Sequence, residues 1–228
     1  MKNFIFKTKP YQHQLRAFEI SAEAENFALL MDMGTGKTKV CIDSIAHNFE
    51  EKRIVFSLIV APKGVIANWI SEIGAHLSDH IERQVVLWKP SLTKAKRKEL
   101  LDLSEPSPKL KILLMNIEAF STKKGVDVAA FFVKKFSTFI VVDESTTIKN
   151  RQAKRTKALC SIGESAQFRR ILTGSPVTKS PLDLYSQMNF LDPRILGFKS
   201  FYAFQGRYAV VQRRTMGAHG FNHIVGFQ

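Results

Sequence analysis

Within the stretch MDMGTGKTKV, Gly34, Gly36, Lys37 and Thr38 have the types and spacing to hold a phosphate chain. Glycines tolerate the positive φ angles that turn the successive backbone N–H groups of Gly34, Thr35 and Gly36 toward an anion, and the helix that follows adds its positive end. Lys37 can then reach the β and γ phosphates while the Thr38 hydroxyl ligates a metal. A second chemistry-bearing pair closes the run FIVVDES, where Asp143 and Glu144 follow an apolar stretch. Asp143 can hold the metal directly or through water, and Glu144 can orient and deprotonate an attacking water. The ligands this chemistry calls for are a nucleoside triphosphate and Mg2+, with Lys37, Asp143 and Glu144 catalytic and with Thr38 and Asp143 on the metal. The strict phosphate-loop pattern wants a first glycine where Met31 stands, so the match is to a shortened GxGKT form. No [NT]KxD guanine-reading motif accompanies it.

These groups work together only if strands deliver them to one edge of a sheet. Short apolar runs at 27–31, 54–60, 85–88, 111–115, 139–143 and 169–173 supply the strands. Between them, KTKVCIDSIAHNF, VIANWISEIGAHL and AKRTKALCSI carry apolar residues at three and four spacing, as amphipathic helices do. The alternation predicts an α/β fold, a mostly parallel central sheet covered by helices on both faces. LSEPSPKL, residues 103–110, reads as a surface loop after the basic stretch at 94–100. After residue 197 the pattern turns aromatic and then Gly-rich, which predicts a helix followed by a hairpin. The domain reading is one lobe over 1–197 and an aromatic, basic appendage over 198–228.

A formal charge of +14 favours a polyanionic partner such as nucleic acid. With 45% apolar and 24% charged residues the chain is expected to be globular. No apolar run approaches the about 20 residues that cross a bilayer, and MKNFIFKTKP lacks a signal-peptide core, so no membrane partner and a soluble, cytoplasmic protein are expected. Cys41 and Cys160 sit in helix-like apolar patterns and read as structural thiols. His219 and His223 have a spacing that can clamp zinc on a helix, but the Gly-rich segment is a poor helix without a third ligand, and a loop is expected. Phe198, Phe201, Tyr202, Phe204 and Tyr208 have the spacing of a buried helix face or docking surface, and Trp69 and Trp88 read as packing residues.

Taken in order, these motifs resemble the superfamily-two helicases and, within them, the Swi/Snf-like DNA translocases. KPYQHQLRAF is similar to the family's opening Q-type motif and MDMGTGKT to motif I. VAPKGVIANWISEI resembles motif Ia, LLMNIEAF motif Ib, VVDESTTIKN motif II and ILTGSPVTKSPLDLYSQMNFLDP motif III. The resemblance implies a RecA-like P-loop NTPase lobe in which Gln12 reads the adenine edge and Gly34, Thr35, Gly36, Lys37 and Thr38 bind the nucleotide. It also implies nucleic-acid contacts at Pro62, Lys63 and Asn116, with Thr173, Gly174 and Ser175 coupling nucleotide state to those contacts. Lys149 and Arg151 join the nucleic-acid set because they, with Lys154, Arg155 and Lys157, follow motif II on the cleft side; Lys94, Lys96, Arg97 and Lys98 read as a solvated helix face. The partner implied is double-stranded DNA; a lobe for RNA or single strands, or a nucleotide-gated binding module without turnover, are the alternatives. Two departures stand out. Ser145 and Thr146 replace the Ala and His that usually end motif II, so a histidine contact toward motif III is made otherwise or lost. Motifs IV to VI, with the arginine fingers, are not found, so a second RecA-like lobe in cis or trans is expected, and slow ATP hydrolysis without it.

Overall fold

A computed structural model describes residues 4–91, 93–216 and 219–227. All of the expected apolar runs are strands: β1 (Asn26–Leu30), β2 (Phe56–Ala61), β3 (Arg83–Leu87), β4 (Leu110–Asn116), β5 (Thr138–Asp143) and β6 (Phe168–Thr173). They form one sheet in the order β1-β6-β5-β2-β4-β3, and every pairing is parallel. Strands β2 and β5 are buried along their whole length, as continuous apolar runs in a doubly covered sheet should be.

Connection handedness decides which face each helix covers. From β1 to β2 to β3 the chain advances toward one edge, so right-handed crossovers lay α2 (Lys37–Glu50) and α3 (Ile66–His76) on one face. From β3 through β4 and β5 to β6 it returns, and the same handedness lays α4 (Lys94–Ser104), α5 (Lys123–Lys135) and α6 (Lys154–Gly163) on the other. Two hydrophobic cores result. The first joins α1 (Gln12–Ser21), α2 and α3 to Leu29, Ile59, Phe139, Val141 and Leu172; the second joins α5, α6 and α7 (Asp183–Leu191) to Leu58, Val60, Ile140, Val142 and Ile171. Alternate residues of each strand supply alternate cores.

Beyond α7 stand α8 (Phe201–Tyr208) and an antiparallel ribbon of β7 (Ala209–Met216) and β8 (His219–Phe227), which does not pair with the main sheet. The His219–His223 segment, expected as a loop, is strand in β8. Phe204 is buried while Tyr202 is 70% exposed. The aromatic face of α8 packs on Tyr185 of α7, whose ring lies 5.2 Å from Phe201 and 5.6 Å from Phe204. No helix of the described residues is long and apolar enough to cross a membrane.

One buried cation fastens α1 to the sheet. The fully buried Arg170 of β6 donates to the carbonyls of Ser21 at 2.5 Å, Ala24 at 2.6 Å, Arg169 at 3.0 Å and Glu25 at 3.1 Å, with its guanidinium 4.8 Å from the Phe139 ring centroid. Burial pulls its pKa down to about 10, which leaves it charged at neutral pH. Replacing it strands several buried carbonyls. Arg170→Met is therefore expected to lower the unfolding free energy by about 3 kcal/mol in chemical denaturation, whereas Arg207→Met on exposed α8 should stay within about 0.5 kcal/mol.

Candidate active site

The cradle forms where β1 stops. Leu30 is in register with Thr173 of β6, and the chain then turns through Gly34 and Gly36 at φ of +77° and +79° before α2 begins. The φ of Gly36 calls for glycine, and a Cβ there would in addition displace the end of the Gln14 side chain, 2.3 Å away at Nε2. Thr35 Oγ1 donates to Asp32 O at 2.7 Å. The Lys37 Nζ, on a buried side chain, donates to Met31 O at 2.9 Å and Asp32 O at 3.0 Å. Thr38 follows in the first turn of α2, where the positive helix end lies.

Helix α1 braces this loop from outside. Gln14 donates from Nε2 to Thr35 O at 3.0 Å and accepts the Tyr11 N–H on Oε1 at 3.0 Å, and His13 Nε2 lies 3.0 Å from Thr35 O. Gln12, nominated from the sequence, is exposed on the same first turn. The bracing role of Gln14 was missed there, since Tyr11 at the helix cap is not the Ser or Thr that would mark a capping box in sequence.

Asp143 ends the central strand β5. Strand alternation puts its side chain on the face of Phe139 and Val141, toward α2 and α3. Its Oδ2 accepts the indole N–H of Trp69 at 2.8 Å and its Oδ1 accepts the backbone N–H of Glu144 at 2.9 Å. Burial raises the carboxyl above the ordinary aspartate range, and the Trp69 and Glu144 donors and the Lys37 charge offset only part of that. Glu144 is left-handed at φ +46°, a conformation uncommon for a non-glycine residue, and this kink starts the 3-10 turn Ser145–Ile148. Trp69, read from sequence as packing alone, is thus bonded to the carboxylate. Among the described residues no group of three His, Cys, Asp or Glu could form a metal cage. The single buried carboxylate of Asp143 suits magnesium, which binds through one or two carboxylates with phosphates and water.

Ser145, next to the Thr146 that stands in the histidine position, bonds into the segment read as the third motif. Ser145 Oγ donates to Gln187 Oε1 at 2.6 Å, and Gln187 Nε2 donates to Pro176 O and Asp183 O, both at 2.8 Å. Ser145 and Gln187 are fully buried. Asp183 Oδ2 in turn accepts from Thr178 N at 2.9 Å, Thr178 Oγ1 at 2.8 Å and Lys179 N at 2.8 Å. Lys149 donates to Thr178 Oγ1 and lies 3.6 Å from Asp183 Oδ2. Thr173 is buried and accepts the Ser175 N–H at 3.2 Å. A Cβ on Gly174 would lie 3.4 Å from Met33 N, so this loop touches the cradle.

Further along the same edge, Lys63 and Asn116 share a cleft of about 600 Å³ with Ile66, Ile70, Trp88 and Lys89. Pro62 starts the 3-10 turn that carries Lys63 into it. Arg151 stands apart: its guanidinium lies 4.2 Å from the Phe201 ring centroid and donates to the Tyr202 hydroxyl at 3.2 Å, tying α8 to the segment after Asp143.

The Asp183 knot titrates. Burial pushes this carboxyl up, but the Lys179 and Thr178 donors and then Lys149 outweigh it and hold the pKa at about 2. The folded value lies below the unfolded one, so the stabilisation is present above pH ~4 and fades as pH falls toward 2. Asp183→Asn should cost about 1 kcal/mol at pH 7, and denaturation across pH 7 to 2.5 should show the gap from wild type closing; a constant gap contradicts this.

The chain matches the model of the SNF2-related domain over residues 11–218. It is 27% identical over 218 residues to the probable ATP-dependent DNA helicase CHR12 of Arabidopsis thaliana, covering 88% of this chain and 18% of that protein. To the probable ATP-dependent DNA helicase CHR23 of the same plant it is 31% identical over 189 residues, covering 79% and 16%. It thus spans less than a fifth of those relatives. Among solved structures, the Sulfolobus solfataricus SWI2/SNF2 ATPase core in complex with dsDNA superposes with a TM-score of 0.69 at 24% identity, over 90% of this chain and 41% of that one. That likeness bears out the RecA-like three-layer fold. With the domain model matched across nearly all of its length, the chain belongs to the SNF2-related domain family.

Proposed function

We propose that this chain is the ATP-binding first RecA-like lobe of a Swi/Snf-like translocase that couples ATP hydrolysis to movement on double-stranded DNA. The observation that carries the reading is the convergence of the Lys37 loop and the Asp143 carboxylate, delivered by β1 and β5, with β6 between them bringing Gly174 against the cradle.

In this reading Lys37 exchanges its carbonyl acceptors at Met31 and Asp32 for β and γ phosphate oxygens, while N–H groups of Gly34, Thr35 and Gly36 cradle the chain. Thr38 and Asp143 would hold magnesium, which when bound neutralises developing phosphate charge. Glu144 orients and deprotonates water, and Gln12 meets the adenine edge while Gln14 keeps the loop in shape. Pro62, Lys63 and Asn116 at the cleft contact the DNA backbone, and the Ser145–Gln187–Pro176 chain passes nucleotide state to Thr173, Gly174 and Ser175. Lys149 and Arg151 join the DNA contacts by exchanging Thr178 and Tyr202 for phosphate. Arginine fingers contribute on the order of a thousandfold to a hundred-thousandfold in related chemistry, and the family resemblance assigns them to a second lobe, so turnover by this lobe alone is slow.

Steady-state hydrolysis with duplex DNA, single-stranded DNA, RNA or no nucleic acid, at low salt, tests this. We expect ATP binding with slow, duplex-stimulated turnover that Lys37→Ala and Glu144→Gln abolish. Stimulation by RNA alone would favour a strand-separating helicase lobe, and tight binding with no turnover even beside a second lobe would favour a nucleotide-gated module.

A further inference from the structure

The indole of Trp69 is fully buried, and packing accounts for its ring but not for its N–H. Phenylalanine would fill most of that space and bring no polar atom to satisfy. Instead the N–H ends 2.8 Å from Asp143 Oδ2, a contact across 74 positions of sequence that joins α3 to β5. Resting on the nucleotide reading above, we infer that Trp69 is a positioning residue for the metal-holding carboxylate: its N–H fixes the orientation in which Asp143 meets magnesium.

Three features support the assignment. The two Asp143 oxygens are held by separate donors, Oδ2 by Trp69 and Oδ1 by the Glu144 N–H, so rotating the carboxylate breaks both bonds. Each oxygen keeps a further lone pair for a metal ion or its water. Both donors are neutral, and among the described residues Asp143 forms no salt bridge, so the Lys37 charge bears on it without an ion-pair contact that would occupy an oxygen. A lysine or arginine in the place of Trp69 would orient the group equally well and repel the metal. The indole supplies direction without charge. Residues that orient metal ligands in this way commonly matter about 10- to 100-fold in metal affinity.

ADP affinity measured by calorimetry with magnesium and with EDTA separates this from packing. Wild type should bind ADP more tightly with magnesium. Trp69→Phe should keep its affinity in EDTA within about twofold and lose about 10-fold or more of the magnesium-dependent gain. Full retention of the gain overturns the inference alone, whereas a wild-type affinity indifferent to magnesium overturns the nucleotide reading and this inference with it. A second measurement leaves Trp69 intact. The chain has two tryptophans, so Trp88→Phe makes Trp69 the sole indole. Its N–H resonance in a 15N-labelled sample should move when magnesium is added with ADP and stay still with ADP and EDTA; a resonance that ignores magnesium overturns the inference.

Discussion

Every strand of the main sheet runs the same way, and the rest of the molecule follows from that constraint. Parallel pairing sends all carboxyl ends to one edge, so the loops after β1, β6, β5, β2 and β4 stand side by side although they lie far apart in sequence. The Lys37 loop, the Gly174 loop, the Asp143–Glu144 pair and the cleft at Lys63 and Asn116 follow along that edge in this order. The same constraint buries β2 and β5 on both faces and so places Asp143 where water is scarce. Burial of the carboxylate is the cost of a central position, and hydrogen-bond donors from two directions offset it.

A second layer of order is polar and buried. Arg170 pins the end of α1, whose first turn grips Thr35 O; Ser145 and Gln187 tie the turn after Glu144 to the loop after β6; Asp183 gathers three donors from residues 178 and 179. Each of these groups would be expensive to leave unmatched. Their matching ties these loops and helix ends into hydrogen-bonded groups around the Lys37 loop.

Much of this was legible in the sequence. The apolar runs marked each strand to within a residue or two, because strands of a covered sheet are built mainly of apolar residues even where an Arg170 or Lys111 intrudes, and the glycines, Lys37 and Asp143 announced themselves by type and spacing. Strand ends were less exact: the run at 54–60 became Phe56–Ala61 because pairing, not hydropathy, sets the boundary. What stayed hidden was contact between distant segments. Nothing periodic connects Trp69 to Asp143 or Ser145 to Gln187, and each residue alone looks like packing or a conservative replacement. The charge of Arg151 is visible in sequence, whereas the Phe201 ring and Tyr202 hydroxyl that hold its guanidinium in this structure are not. The tail's helix and hairpin were legible in outline, while the place of His219–His223 within a strand of that hairpin was not, since its pairing partner and not its composition makes it extended.

The most direct test of the account is a crystal structure of this chain with magnesium and a non-hydrolysable ATP analogue. The account predicts the triphosphate within the loop from Met31 to Thr38, with Lys37 Nζ moved from the Met31 and Asp32 carbonyls to phosphate oxygens and the metal beside Asp143. A nucleotide bound elsewhere, or a Lys37 still closing its own loop beside a bound triphosphate, would contradict it.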